Sequence, residues 1–147
     1  MKWLLIIPAL LLLLGLVAYT FMAIQSQKTP ERLGLKQGVL LPCPDSPNCV
    51  CSEAHSQGSG EHAIAPVQAA DGAWAKLKKR MIDLGGIIEQ DDGHYLHATF
   101  RSPLFRYVDD VELRLDSAQG LIHIRSASRV GRSDFGVNRK RVEQIVQ

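Results

Sequence analysis

Residues 109–141 hold most of the side chains in this sequence that could do chemistry. Carboxylates come first, between Asp109 and Glu112, and a run rich in arginine, serine and glycine follows from Arg125 to Arg141. Carboxylates beside arginines shift one another's pKa and can act as acid or base, whereas arginines bind phosphates and carboxylates. The residues that could form such a site are Asp109, Asp110, Glu112, Arg125, Ser126, Ser128, Arg129, Asp134, Asn138, Arg139 and Arg141.

Three interpretations of this segment are open from the residues alone. In the first, the protein is a non-enzymatic module that binds an anionic ligand or partner through its Arg/Ser/Gly-rich C-terminal segment. In the second, it is a hydrolase-like enzyme that uses a carboxylate with arginines, drawn from Asp109, Asp110, Glu112, Arg125 and Arg129. In the third, the charges are purely structural, because opposite charges on neighbouring strands stabilise a sheet. We carry the first forward, and the sequence does not decide whether the protein is an enzyme.

The start of the last predicted helix indicates an anionic partner. Asn138 can cap a helix that runs to Val146, and such a helix carries three cations in its first turn, Arg139, Lys140 and Arg141. Cations at that end oppose the helix dipole, so an acidic group is expected nearby. It is either an external phosphate or carboxylate, or an acidic side chain of the domain itself: Asp109, Asp110 or Glu112.

No cofactor motif accompanies these residues. Asp134-Phe135-Gly136 matches a kinase tripeptide, but the sequence has no glycine-rich nucleotide loop and no catalytic-loop motif. The nucleophile motif Gly-x-Ser-x-Gly does not occur either. The sequence therefore predicts no cofactor.

Three cysteines lie between residues 43 and 51. Cys43 and Cys49 flank a turn-rich loop that is short enough to bring their sulfurs together, and such pairs persist in oxidising compartments. A soft metal bound by the cysteines and His55 is the alternative, although the spacing is not a standard zinc pattern. We predict a Cys43–Cys49 disulfide and no metal, with Cys51 left as an odd thiol.

Periodicity predicts the elements that position these residues. Apolar residues at helical spacing indicate a helix that begins at the N-cap Asp71, ends at Gly85 and buries Trp74, Leu77, Met81 and Leu84. Alternating patterns predict strands at residues 86–90, 94–101, 105–116 and 121–129, with a short strand at residues 63–67. The predicted fold is α+β: an antiparallel sheet of four to five strands with a helix packed on one face and a C-terminal helix, preceded by one N-terminal transmembrane helix.

The register of the last two strands follows from their hydrophobic pattern. Pairing of Asp116 with Leu121 gives one coherent core face, formed by Leu96, Ala98, Phe100, Phe105, Tyr107, Val111, Leu113, Leu115, Ile122 and Ile124. The outer face of this one-sided sheet then holds Tyr95, His97, Thr99, Arg101, Arg106, Asp110, Glu112, Arg114, His123 and Arg125. Asp109 falls on the core face near Ser126 and Ser128, where it needs hydrogen-bond partners such as these serines or Arg129.

An apolar segment precedes the domain. The 22 uncharged residues from Trp3 to Ile24 make roughly 33 Å of helix, enough to cross a bilayer, and exceed the length of a cleaved signal's apolar region. Positive charge is enriched on the cytoplasmic side of membrane proteins, so Lys28, Arg32 and Lys36 favour a cytoplasmic domain. The cysteine pair favours an extracytoplasmic domain, where disulfides persist. We predict a single-pass anchor with the domain on the extracytoplasmic, periplasmic side.

The length and net charge of the chain limit its domain organisation and its class of partner. The chain of 147 residues divides into an anchor at residues 1–27, a polar tether at residues 28–42 and a single α+β domain at residues 43–147. The formal net charge of +2 argues against a nucleic-acid binder, which usually carries a strong basic excess. The expected partners are the membrane and an anionic small molecule or envelope protein.

Three stretches of the sequence resemble a known family. They are Cys43 to Val50, Phe105 to Glu112 and Arg125 to Arg141. On these motifs, residues 40–146 resemble the bacterial and plant family catalogued as domain-of-unknown-function family 1499. The resemblance implies an α+β domain, often behind a signal or membrane segment, with no activity established for the family as a class. It also supports Cys43 and Cys49 as the bonded pair, because members commonly have serine at the position of Cys51.

Overall fold

The computed structural model describes residues 3–147, which contain three α-helices, one short 3-10 helix (Ala54–Ser56) and eight strands. The α-helices are α1 (Trp3–Ser26), α2 (Ala73–Asp83) and α3 (Val137–Val146). The strands are β1 (Leu35–Lys36), β2 (Val39–Leu40), β3 (Cys49–Cys51), β4 (Val67–Gln68), β5 (Ile87–Asp91), β6 (Tyr95–Arg101), β7 (Val108–Asp116) and β8 (Leu121–Ser128).

The strands form one six-stranded antiparallel sheet and one small hairpin. The large sheet has the order β3-β8-β7-β6-β5, with β4 also paired to β8, and β1 pairs with β2. The predicted α+β class and the meander from β5 to β8 are confirmed. The sheet has more strands than the sequence indicated, because the short β3 and β4 both add to the edge of β8.

The predicted register is confirmed. Asp116 pairs with Leu121, and Glu112 lies opposite Arg125. A slip of one residue would turn every side chain of a strand to the other face, so the apolar alternation alone is enough to specify this pairing.

The core lies between one face of the sheet and helices α2 and α3. From the sheet it takes Leu96, Ala98, Phe100, Val111, Leu113, Ile122 and Ile124, and from the helices Leu77, Met81, Val142 and Ile145. Burial of each large aliphatic side chain is worth about 1.5–3 kcal/mol, so this layer is the main apolar contribution to stability. The helix α2 begins at Ala73 after Gly72, which has a φ of 74°, and not at an Asp71 cap.

The start of β7 differs from the prediction. A strand was expected from residue 105, but β7 begins at Val108. Instead of joining the core, Phe105 stacks on Tyr19 of α1, and Tyr107 stacks on Phe105. Arg106 has a φ of 58°, a conformation that breaks the alternation of an extended strand. The short strand expected at residues 63–67 likewise lies slightly later, at Val67–Gln68.

The outer face of the sheet is covered rather than open to solvent. Residues 28–42, expected as a tether, and the segment after β3 lie across it. Leu40 is fully buried there, and the charged residues beneath, Asp110, Glu112, Arg114 and Arg125, are each at most 8% exposed. Charges predicted on a solvated face are therefore buried, and each of them needs a partner.

The first helix is long and apolar enough to cross a membrane over Ile6–Ser26. Its C-terminal end contacts the domain through Tyr19, Ser26 and the following Gln27. The domain is thus held directly against the end of α1.

Candidate functional site

A cavity of about 220 Å³ opens where the covering segments meet β7 and β8. Its walls come from four parts of the chain: the segment after α1, the disulfide loop, the two central strands and the loop after β8. The lining residues are Pro30, Arg32, Pro44, Ser46, Asn48, Asp110, Arg125, Ala127, Ser128, Arg129 and Gly131. Three arginines and one carboxylate therefore share one small cavity, which is the candidate site.

Arg125 is the buried cation of this cavity. Its residue is 3% exposed, and its Nη1 donates to Oε2 of Glu112 at 2.8 Å across the β7–β8 pair. Its Nε is buried without a hydrogen-bond partner among the described residues. A guanidinium carries five N–H donors, so the bond to Glu112 uses only part of the hydrogen-bonding capacity of Arg125.

Arg129 and Asp110 form a second ion pair at the cavity wall. Two parallel hydrogen bonds join them, from Nε to Oδ2 at 2.8 Å and from Nη2 to Oδ1 at 2.7 Å. His97 adds a contact from Nε2 to Oδ1 at 2.8 Å. Burial by itself raises the pKa of Asp110, but the hydrogen bonds from Arg129 and then His97 outweigh it and hold the pKa below its usual range. Asp110 is therefore ionised at neutral pH.

Arg129 also caps the C-terminal end of α1. Its Nη1 donates to the carbonyl oxygens of Ser26 at 3.3 Å and Gln27 at 3.4 Å. These carbonyls lie at the negative end of the helix dipole, where a cation is stabilising. The same side chain thus joins the cavity to the end of α1.

The disulfide loop forms a rigid wall. Cys43 and Cys49 are bonded, with an S–S distance of 2.01 Å, which confirms the predicted pair. Inside the loop, Ser46 Oγ donates to Oδ1 of Asn48 at 2.7 Å, and Nδ2 of Asn48 donates to the carbonyl of Gly131 at 2.7 Å. These bonds hold the loop against the segment after β8.

Glu112, the partner of Arg125, has both carboxylate oxygens hydrogen-bonded. Besides Arg125, its carboxylate accepts from the hydroxyl of Tyr95 at 2.7 Å and from the backbone N–H of Gly34 at 2.8 Å. Burial, followed by the adjacent Glu112 charge, raises the pKa of Tyr95 well above its usual value, so Tyr95 stays a neutral donor. The sequence pattern placed Tyr95 on this face but gave no signal for its role.

Glu53 is a buried carboxylate that the sequence did not single out. It accepts two hydrogen bonds from Arg114, at 2.7 and 3.0 Å, and one from the backbone N–H of Leu40 at 3.0 Å. Burial raises the pKa of Glu53, but these hydrogen bonds and His123 outweigh that effect and lower it. No sequence pattern indicated this pair, because Glu53 comes from a polar loop 61 residues before Arg114.

Most of the remaining candidate residues form a second cluster, on the core side of the sheet, which Ser128 shares with the cavity wall. Asn138 is fully buried and is its centre: its side chain bonds Ser126, Ser128, Asp134, Arg141 and the carbonyl of Asn48. Asp109 accepts from Nη2 of Arg141 at 2.7 Å, so its partner is neither a serine nor Arg129. Arg139 donates to the carbonyl of Glu61, away from the cavity.

The start of α3 also differs from the prediction. Gly136, with a φ of 77°, precedes the first turn, and Asn138 lies within the helix rather than at its cap. The carboxylate of Asp134 accepts the backbone N–H of Asn138 at 2.8 Å and so supplies the acidic group at this end. The core-side cluster is internally paired, and it fastens α3 to β8.

Other chemically suggestive groups lack a reactive geometry. Ser52, His123 and Glu53 lie together, but Nδ1 of the histidine faces both other side chains, and Ser52 Oγ accepts the backbone N–H of Ile124. Burial raises the pKa of the Cys51 thiol, which keeps it protonated. Within residues 3–147 the structure brings together no group of three histidine, cysteine, aspartate or glutamate residues placed to hold a metal ion.

Comparison with known proteins places the domain in a family. A family model described as "Protein of unknown function (DUF1499)" matches residues 39–147. The chain belongs to this family, as the three sequence stretches indicated. No curated protein and no solved structure matches the chain.

Proposed function

We propose that this protein is a membrane-anchored envelope module that binds a small anion in the cavity formed by Arg32, Arg125 and Arg129. The observation that carries the proposal is the state of Arg125. Its guanidinium is buried and lines a cavity, yet one nitrogen has no partner among the described residues. Its Nη1 is bonded to Glu112 and its Nε is closed to solvent, so a ligand oxygen in the cavity would accept from the remaining N–H groups of the guanidinium.

The charge balance of the cavity favours an anion. Glu112 offsets Arg125 and Asp110 offsets Arg129, which leaves the exposed Arg32 as the surplus cation at the cavity mouth. Arginine binds phosphate and carboxylate through paired N–H groups. A volume of about 220 Å³ suits an inorganic phosphate or a small carboxylate better than a ligand of drug size.

The alternative of a hydrolase-like enzyme has less support. A general acid or base needs a carboxylate with a free oxygen and a pKa near the working pH. Both oxygens of Asp110 and both oxygens of Glu112 accept hydrogen bonds within the domain, and the pKa of Asp110 is lowered. Asp109 is paired with Arg141 on the other side of the sheet.

The disulfide supports a position outside the cytoplasm. The Cys43–Cys49 bond forms one wall of the cavity, and disulfides persist in oxidising compartments such as the periplasm. With α1 as an uncleaved anchor, the amino terminus lies in the cytoplasm and the cavity faces the periplasm.

Calorimetric titration of the full-length chain in lipid nanodiscs tests the proposal, with inorganic phosphate and succinate as separate probes. We expect one of them to bind, and Arg32→Gln to weaken that binding at least about tenfold, because hydrogen bonds to charged groups are worth about 1.5–3 kcal/mol. Arg32 is exposed, so the substitution leaves the melting temperature nearly unchanged.

Lys36→Gln is the matched control, since Lys36 is an exposed cation four residues further along that does not line this cavity. Its binding should equal that of the wild type. Absence of binding by both probes, or equal binding by Arg32→Gln and the wild type, would contradict the proposal. The purely structural interpretation of the charges would then take its place.

A further inference from the structure

The connection between β6 and β7, residues 102–107, lies beside the end of α1. The ring of Phe105 stacks on Tyr19 of α1, with 5.0 Å between centroids and 16° between planes. Tyr107 continues the stack at 5.6 Å from Phe105, and its hydroxyl donates to the carbonyl of Tyr19 at 3.2 Å. The connection is therefore fixed to α1 at the height of Tyr19.

Gln27, the residue after α1, fastens both ends of the same connection. Its side-chain oxygen accepts from Nη1 of Arg101, and its Nε2 donates to the carbonyl of Arg106 at 2.9 Å. The backbone N–H of Val108 also donates to Oγ of Ser26 at 3.4 Å. Contacts on both sides of the aromatic stack thus set the depth of this connection along α1.

Tyr19 lies within the length that α1 needs to cross a membrane. At 1.5 Å per residue it stands about 24 Å from Trp3, where α1 begins, and about 10 Å before Ser26, where α1 ends. A hydrocarbon core is about 30 Å thick, so a core that starts near Trp3 extends about 6 Å beyond Tyr19. Phe105, stacked on Tyr19, is then at the depth of lipid rather than of bulk water.

The composition of the connection matches that depth. Leu104 is 79% exposed, although a leucine that faces water gains nothing from the hydrophobic effect. The neighbouring Arg101 and Arg106 are exposed cations, whose long side chains can reach the phosphate level while apolar neighbours lie deeper. Aromatic rings between acyl chains and headgroups are typical of membrane-interface belts.

We propose that residues 102–107 insert into the leaflet that α1 leaves at Ser26, with Leu104 and the two aromatic rings among the outer part of the acyl chains, next to the interface. The partner of this surface is the lipid bilayer itself. The inference rests on α1 acting as an uncleaved anchor, and it is independent of anion binding in the cavity.

Depth-dependent fluorescence quenching tests the insertion. The full-length chain carrying Leu104→Trp is reconstituted into phosphatidylcholine vesicles whose acyl chains are brominated near the headgroup. Val17→Trp, inside the membrane span, is the positive control, and Val146→Trp, at the far end of α3, is the negative control. Subtraction of the unmutated chain removes the signal of the two native tryptophans.

We expect the added emission of Leu104→Trp to be blue-shifted and quenched to an extent comparable with Val17→Trp, while Val146→Trp is not quenched. Leu104 is exposed, so the variant should fold, which far-UV circular dichroism verifies. Quenching of Val17→Trp without quenching of Leu104→Trp would overturn the insertion. If neither Leu104→Trp nor Val17→Trp were quenched, the insertion would also be overturned, because α1 would then not be in the bilayer. Neither outcome bears on anion binding in the cavity.

Discussion

The two faces of the central sheet are equally buried but built from opposite chemistry. Leu113 and Ile124, on the side of α2 and α3, are fully buried. Their neighbours on the same strands, Glu112 and Arg125, lie on the other face and are at most 3% exposed. The apolar face is stabilised by area removed from water, which any well-fitting neighbour provides. The charged face is stable only when each group has its own partner, because an unpaired buried charge is strongly destabilising. Burial alone therefore does not reveal how a face of this sheet is stabilised.

The largest expected effect comes from Glu112→Ala, which breaks the charged face at its centre. The substitution removes the acceptor of Arg125, Tyr95 and the Gly34 N–H together. Removal of one partner of a buried ion pair costs about 3–5 kcal/mol, and we expect a loss of unfolding free energy in that range. Denaturant unfolding of the full-length chain in nanodiscs measures it.

Leu113→Ala is the matched control on the opposite face, where loss of a fully buried leucine costs about 2–5 kcal/mol. The two variants should be similarly unstable. A loss below about 1 kcal/mol for Glu112→Ala would mean that this carboxylate behaves as a solvated surface charge, and the comparison of the two faces would fail.

Acid should act on the charged face selectively. Asp110 and Glu53 have pKa values lowered in the folded state, so the stability they contribute is present above the unfolded-state pKa, near 4, and is lost as pH falls through the folded-state values. We expect the melting temperature to change little between pH 7 and about pH 5 and to fall below about pH 4.

Asp110→Asn should reduce the fall in melting temperature at acid pH. Asp45→Asn, which changes an exposed carboxylate of the disulfide loop, should leave that fall unchanged. Melting curves recorded at intervals of pH give both slopes. If the melting temperature of Asp110→Asn fell as steeply at acid pH as that of the wild type, this carboxylate would not take part in the acid response.

The smallest effect should come from charges outside both faces. Lys79 and Asp83 form an ion pair at 2.7 Å on the outside of α2, with side chains 75% and 44% exposed. Exposed pairs of this kind contribute about 0.3–0.5 kcal/mol, so Lys79→Ala should alter the unfolding free energy by no more than about 0.5 kcal/mol. A loss above about 1 kcal/mol would show that pairing matters as much at the surface as beneath the covering segments.

The apolar face could be predicted from sequence because its signals are local. The alternation in β7 and β8 specifies the pairing of Asp116 with Leu121, and helical spacing identifies Leu77 and Met81 as core residues. The prediction that Phe105 joins this core was wrong, because the left-handed backbone of Arg106 interrupts the alternation.

The charged face could be predicted only in part. The pattern placed Asp110, Glu112 and Arg125 together, but it could not predict that Glu53 and Gly34 cover them. Those contacts join residues 61 and 78 positions apart, through loops with no periodic pattern. The role of Asn138 could not be predicted for the same reason. A single buried amide that bonds five groups leaves no signature in the spacing of residue types. Sequence periodicity carries no information about contacts between residues that are far apart in the chain and lie in non-periodic loops.

The bond from Arg129 to the end of α1 also sets an order of events during synthesis. Arg129 and Ser26 are 103 residues apart, so at about 5–20 residues per second α1 is made roughly 5–20 seconds before its cap exists. The β7–β8 hairpin forms within microseconds of becoming available, far faster than that delay. The carbonyls of Ser26 and Gln27 therefore gain this cap only after the last strand has been made.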